Sequence, residues 1–179
     1  MIDPVLVLVL SWCLGLLFLA AAADKVIDWR AFRSTLEEYQ LVPRWGLVPV
    51  GVMVAVLEAI SGVGLLFSAS RVVAAFMGAG LLVCYGLGIW INLLRGRVHI
   101  DCGCLGGRES ALSHWLVLRN VMLAIAALLC ALPTVERSLS WVDVLSITGG
   151  VVSLAVLYLG LNLLLSYHLE QSAWGLIDE

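Results

Sequence analysis

Apolar residues in this chain fall into long runs broken by short polar segments, not into a strand-like alternation. About 20 apolar residues in helical form cross a bilayer. Five runs reach or approach that length, at residues 4–23, 45–67, 72–94, 114–132 and 142–165. Helices are the expected spanning form, because lipid offers no partner to an open backbone N–H or C=O. The first run has no Lys or Arg before it and ends on Asp24-Lys25, so it reads as a span and not as a signal peptide. Between the first two runs the period changes. Trp29, Phe32, Leu36 and Tyr39 recur at helical spacing, with Arg30, Arg33, Glu37 and Glu38 on other faces. With Asp28 as a cap and Pro43 as a stop, this predicts a short amphipathic helix over about 28–41, lying in the headgroup plane. The expected fold is all-α: one polytopic membrane bundle over residues 1–179, with about five transmembrane helices. No internal repeat or low-complexity linker divides it.

Composition agrees with that reading. The chain is 62% hydrophobic and 13% charged, against about 25% charged in soluble domains. The lipid bilayer is therefore the first partner implied. The net charge of −3 comes with no basic stripe, so no nucleic-acid partner is expected. Five spans place the first and third connectors on one side, with Lys25, Arg30, Arg33, Arg44, Arg95, Arg97 and Arg108; the other side carries Arg71 and Arg137. The positive-inside tendency puts the first group, and the third connector with it, in the cytoplasm.

That third connector carries the chemistry. In "HIDCGCLGGRES", Cys102 and Cys104 flank Gly103, directly after Asp101. A turn brings residues i and i+2 within the roughly 4.4–6.8 Å Cα separation of a disulfide. Gly103 supplies the backbone freedom for so small a ring. A strained ring is a more oxidising disulfide than a structural bridge. Arg95, Arg97 and Arg108 crowd the segment, and the fourth span starts soon after it; both features favour thiolate. Two other readings stand beside redox exchange. The glycines simply turn and the cysteines are incidental, or His99, Asp101, Cys102, Cys104 and His114 bind zinc or copper. One intervening residue is short for a structural zinc pair, and no metal is expected.

The remaining cysteines read as structural. Gly80, Cys84 and Gly88 recur every four residues, a small-residue seam that Asn92 continues. Cys13 and Cys130 lie within spans. Glu58 falls near the middle of the second span, where an ionisable group needs a partner and marks a functional site by default. Lys25 can snorkel or reach inward to it. Arg119 and Asn120 sit early in the fourth span, and Arg119 can face Asp101 or hold the cysteines as thiolates. Trp12, Trp90, Trp115, Trp141 and Tyr167 supply interface anchors.

Taken together, "DKVIDWRAF", "PVGVMVAVLEAISGVGLLF", "NLLRGRVHIDCGCLGG" and "LVLRNVMLA" resemble the methylamine-utilisation MauE family, within the wider DoxX-like group of membrane proteins. Lys25, Glu58, Asn92, Gly96, Asp101, Cys102, Gly103, Cys104, Gly106, Arg119 and Asn120 stand at positions the resemblance marks. The family more often has phenylalanine where this chain has Leu105. The resemblance implies a four-helix core plus a C-terminal helix, in a multi-pass protein of the bacterial cytoplasmic (inner) membrane. It further implies a thiol–disulfide redox function, with Cys102 and Cys104 reactive, Asp101, Gly103, Arg119, Asn120, Glu58, Lys25 and Asn92 supporting, and a thioredoxin-like partner. The implied client is the disulfide-rich small subunit of methylamine dehydrogenase. A client outside the cytoplasm wants the motif outside, opposite to the arginine count. The alternatives are a non-catalytic assembly subunit of a larger complex, or a DoxD-like oxidoreductase subunit using quinone, for which the sequence specifies no pocket. The helical layout also looks like vitamin K epoxide reductase, a likeness of fold level alone.

Overall fold

The computed structural model describes residues 3–96, 114–135 and 140–174. Six helices appear in order: α1 (Pro4–Ile27), α2 (Trp29–Tyr39), α3 (Leu47–Leu66), α4 (Arg71–Leu94), α5 (His114–Cys130) and α6 (Trp141–Trp174), with a 3-10 turn at Arg44–Gly46 before α3. No β-strand occurs among the described residues. Four of these helices are long and apolar enough to cross a bilayer: Pro4–Ile27, Arg44–Leu66, Arg71–Leu94 and Trp141–Gly160. The fifth, α5, is apolar but has 17 residues, about 25 Å of helix.

The sequence placed these helices, with changes at the ends. α1 runs on to Ile27 because Lys25 turns into the bundle and is buried. The last helix begins at Trp141, one residue before the expected 142, and continues to Trp174, beyond the expected 165. Asp28 caps α2 by accepting a hydrogen bond from the Ala31 N–H at 3.1 Å. Gln40, at φ 49°, ends α2 in the left-handed region before Pro43 is reached. Trp29, Phe32, Leu36 and Tyr39 are its half-buried face.

α1, α3, α4 and α5 make the core. α3 is antiparallel to α1, with Gly15 against Gly62, while Phe18 lies on Gly78 of α4. α4 and α5 are antiparallel, with Ala74, Ala75 and Ala79 clustered with Ala124, Ala127 and Cys130 towards one end, and Ile89 with Leu116 towards the other. α6 touches the N-terminal half of α1, where Gly150 meets Val9. Val52, Met53, Val56, Ile60 and Val63 point outward from α3, as do Val72, Val73, Phe76, Val83 and Leu87 from α4. An outer surface so apolar is suited to lipid and would be a liability in water. The chain is a multi-pass membrane protein.

The expected Gly80–Cys84–Gly88 seam is not what packs. Gly80 and Cys84 are exposed, and Gly88 alone of the three is buried, with Asn92 beyond it. A strict four-residue repeat drifts about 40° per step around a helix of 3.6 residues per turn. The face that stays inward is Ala75, Ala79, Leu82, Gly86 and Ile89. The tight seam lies instead between α1 and α3. A Cβ on Gly62 would meet Leu19 Cγ at 2.8 Å and the Gly15 carbonyl oxygen at 3.0 Å. Gly62→Ala is therefore expected to destabilise the bundle by about 1–3 kcal/mol. Gly80→Ala, whose Cβ meets nothing within 4 Å, should be neutral or stabilising by up to about 1 kcal/mol. Thermal unfolding in mild detergent checks both, and equal responses would contradict this seam.

Candidate functional site

Lys25 sits in the last turn of α1 and Glu58 near the middle of α3, and antiparallel packing lets the long side chains meet. Lys25 Nζ donates to Glu58 Oε1 at 2.9 Å, with the two side chains 3% and 1% exposed. Lys25 Nζ also donates to the Ala21 carbonyl oxygen at 3.4 Å. It lies 5.3 Å from the centroid of the Phe32 ring and 5.7 Å from that of Tyr85. Those ring faces are the attractive side of each aromatic quadrupole for a cation. Tyr85 of α4 adds the third polar group, its hydroxyl donating to the same Glu58 Oε1 at 2.6 Å. Three spanning helices thus converge on one carboxylate oxygen, and α2 lies over the cluster, with Trp29 and Phe32 against Gly51.

Sequence reasoning named Lys25 and Glu58 and missed Tyr85 and Phe32. The usable signal for Tyr85 was a phenol inside an apolar span, where an O–H needs an acceptor. Removing that hydrogen bond is informative. Tyr85→Phe is expected to cost about 1.5–3 kcal/mol, the range for a bond to a charged group. Unchanged detergent or denaturant unfolding would show the phenol contributes nothing.

Asn92 and Asn120 are both buried. Each returns its carboxamide N–H to its own helix, Asn92 to the Gly88 carbonyl at 3.0 Å and Asn120 to that of Leu116 at 2.8 Å. Asn120 also packs its Cβ against Gly86 of α4. Arg119, next to it, is half-buried.

Asp101, Cys102, Gly103 and Cys104 lie outside the described residues, as do Gly106, Arg97, Arg108 and His99. The residues that bound their segment are informative. At the exit of α4, Gly96 takes φ +71°, a left-handed conformation that glycine adopts freely. Its N–H donates to the Leu93 carbonyl at 3.0 Å. The antiparallel α4–α5 pairing puts Gly96 and His114 at the same end of the bundle. Tyr39 and Leu41 contact Gly88 near that end, so α2 is there too. The end that holds the ion pair beneath α2 is thus the end from which the CGC segment leaves and to which it returns. Cys13, Cys84 and Cys130 are free thiols. Cys130 is buried in the core, and Cys84, expected to pack, is exposed. Among the described residues, no three His, Cys, Asp or Glu side chains gather as metal ligands.

Residues 3–133, which include the core helices, α2 and the CGC segment, match the family model for methylamine utilisation protein MauE. The chain belongs to the MauE family. Relatives bear this out over most of the chain. The methylamine utilization protein MauE of Methylorubrum extorquens is 33% identical over 168 residues, covering 92% of this chain and 86% of the relative. That of Methylophilus methylotrophus is 30% identical over 169 residues, covering 92% and 88%. The Paracoccus denitrificans MauE is 36% identical over 132 residues, covering 73% and 71%. No solved structure matches this chain. The match to the MauE model stops near the end of α5, so α6 stands outside the matched core.

Proposed function

We propose that this MauE-family chain is a membrane thiol–disulfide exchange protein. It supports disulfide formation in partner proteins of the methylamine utilisation system, through Cys102 and Cys104. The observation that carries this reading is the CGC pair itself, in a polar connector between two spans of a bundle that is otherwise apolar. A partner's dithiol is oxidised when its thiolate attacks one sulfur of the Cys102–Cys104 disulfide. A mixed disulfide forms and the other cysteine leaves as thiolate. The partner's second thiolate then attacks the mixed bond, and the pair is left as a dithiol. Two electrons pass to the pair, and the two protons of the client's dithiol balance them. A disulfide-bearing thioredoxin-like protein restores the internal bond by the reverse exchange and is itself reduced.

The roles assigned around this pair follow from charge and position. Gly103 permits the small ring, Asp101 orients or moves protons, and Arg95, Arg97 and Arg119 favour thiolate. The client in this reading is the disulfide-rich small subunit of methylamine dehydrogenase, and the membrane is the bacterial cytoplasmic membrane.

Trapping tests it. With Cys102→Ser or Cys104→Ser, one of the two variants should accumulate a covalent adduct with a client or thioredoxin-like protein, released by dithiothreitol. Absence of any reducible adduct in both variants, each inserted at wild-type level, would overturn the exchange reading. A phosphatase fused after Gly107 is a companion measurement, since its activity reports that the connector faces away from the cytoplasm.

A further inference from the structure

Glu58 satisfies only half of its carboxylate from the protein. Oε1 receives both Lys25 and Tyr85, whereas Oε2, sealed from the surface, accepts no hydrogen bond from any described residue. One turn along α3, the Ser61 hydroxyl is 0% exposed and likewise has no protein partner among the described residues. Both side chains lie on the inward face that also carries Ala55, Gly62 and Leu65. Side chains three residues apart on a helix are neighbours, with Cβ atoms about 5–6 Å apart.

We propose that Glu58 Oε2 and Ser61 Oγ form a binding site for one hydroxyl donor inside the bundle, with a water molecule as its resident ligand. The donor sense follows from the charges. Glu58 meets the Lys25 ammonium and the Tyr85 hydroxyl through Oε1 as an acceptor, and the ion-paired carboxylate offers Oε2 as a further acceptor, so the ligand brings an O–H. Its oxygen in turn accepts from the Ser61 hydroxyl. Both buried polar atoms are then satisfied, as buried polar groups in folded proteins regularly are, and internal water is the usual means. A ligand that only accepts, such as the carbonyl of an oxidised quinone, does not suit this oxygen. This site is independent of the Cys102–Cys104 reading, and the two fail by different experiments.

The sign of one substitution separates a bridged site from a stranded one. If a water bridges the two groups, Ser61→Ala removes one of its partners and lowers the thermal midpoint of the full chain in detergent by about 2–4 °C. If nothing bridges them, the same change removes an unsatisfied buried hydroxyl, and the midpoint rises; that result overturns the proposal. Infrared spectra of the folded wild-type protein give a second reading. A hydrogen-bonded O–H stretch that shifts in water labelled with heavy oxygen, and is lost in Ser61→Ala, supports the bound water. Absence of any label-sensitive band that Ser61→Ala removes overturns the bound water.

Discussion

Replacing Lys25 by methionine should cost the fold about 3–5 kcal/mol, because it leaves Glu58 as an uncompensated charge inside the bundle. The cation lies 2.9 Å from Glu58 Oε1, with both side chains almost wholly buried. Screening by water is weak there, so the loss is far larger than for an exposed pair such as Arg44 and Glu37, 3.3 Å apart at 91% and 50% exposure. Glu58→Leu alone should be costly in the same way, stranding an ammonium between the Phe32 and Tyr85 rings. The double variant K25M/E58L is the informative one. Removing both charges removes the desolvation penalty with the attraction, so much of the loss should return. A denaturant or thermal unfolding cycle in detergent measures it. If the double variant is as unstable as the sum of the two singles, the side chains do not act as a pair.

Conversion of either loop cysteine to serine is the second large effect. Cys102→Ser and Cys104→Ser should each reduce client disulfide formation to the level of a strain lacking the protein, while membrane insertion and thermal stability stay unchanged. The separation of readouts follows from location. The ion pair, the α1–α3 seam and the α4–α5 contacts described above join residues within 3–96 and 114–135. A serine hydroxyl resembles the thiol in size and differs in nucleophilicity, so a loss of maturation without a loss of fold isolates the sulfur chemistry. Unchanged maturation in both variants would favour a non-catalytic assembly subunit.

Much of this architecture is legible in the sequence because a bilayer imposes a coarse rule. Apolar runs and the Asp28 cap were enough to place α1 to α5 and the amphipathic α2 to within a few residues. The ends were harder. Asp24-Lys25 looks like the close of a span, yet Lys25 turns inward and α1 continues to Ile27. Its reason for turning inward, Glu58, is 33 residues away in the chain. Half of the polar cluster was readable, since Glu58 stands out as an acid in an apolar run. Tyr85 did not, because a phenol in a span is common and only the packing of α3 on α4 brings it to Glu58. The Gly80–Cys84–Gly88 repeat misled for a geometric reason. Four-residue spacing looks helical on paper, but it rotates away from the face that Ala75, Ala79 and Gly86 keep inward.

The reactive pair is best tested by its own redox state in native membranes. Alkylation after mild oxidation should leave Cys102 and Cys104 both unlabelled, and alkylation after dithiothreitol should label both. Full labelling of Cys102 and Cys104 under both conditions would contradict a pair that cycles between disulfide and dithiol.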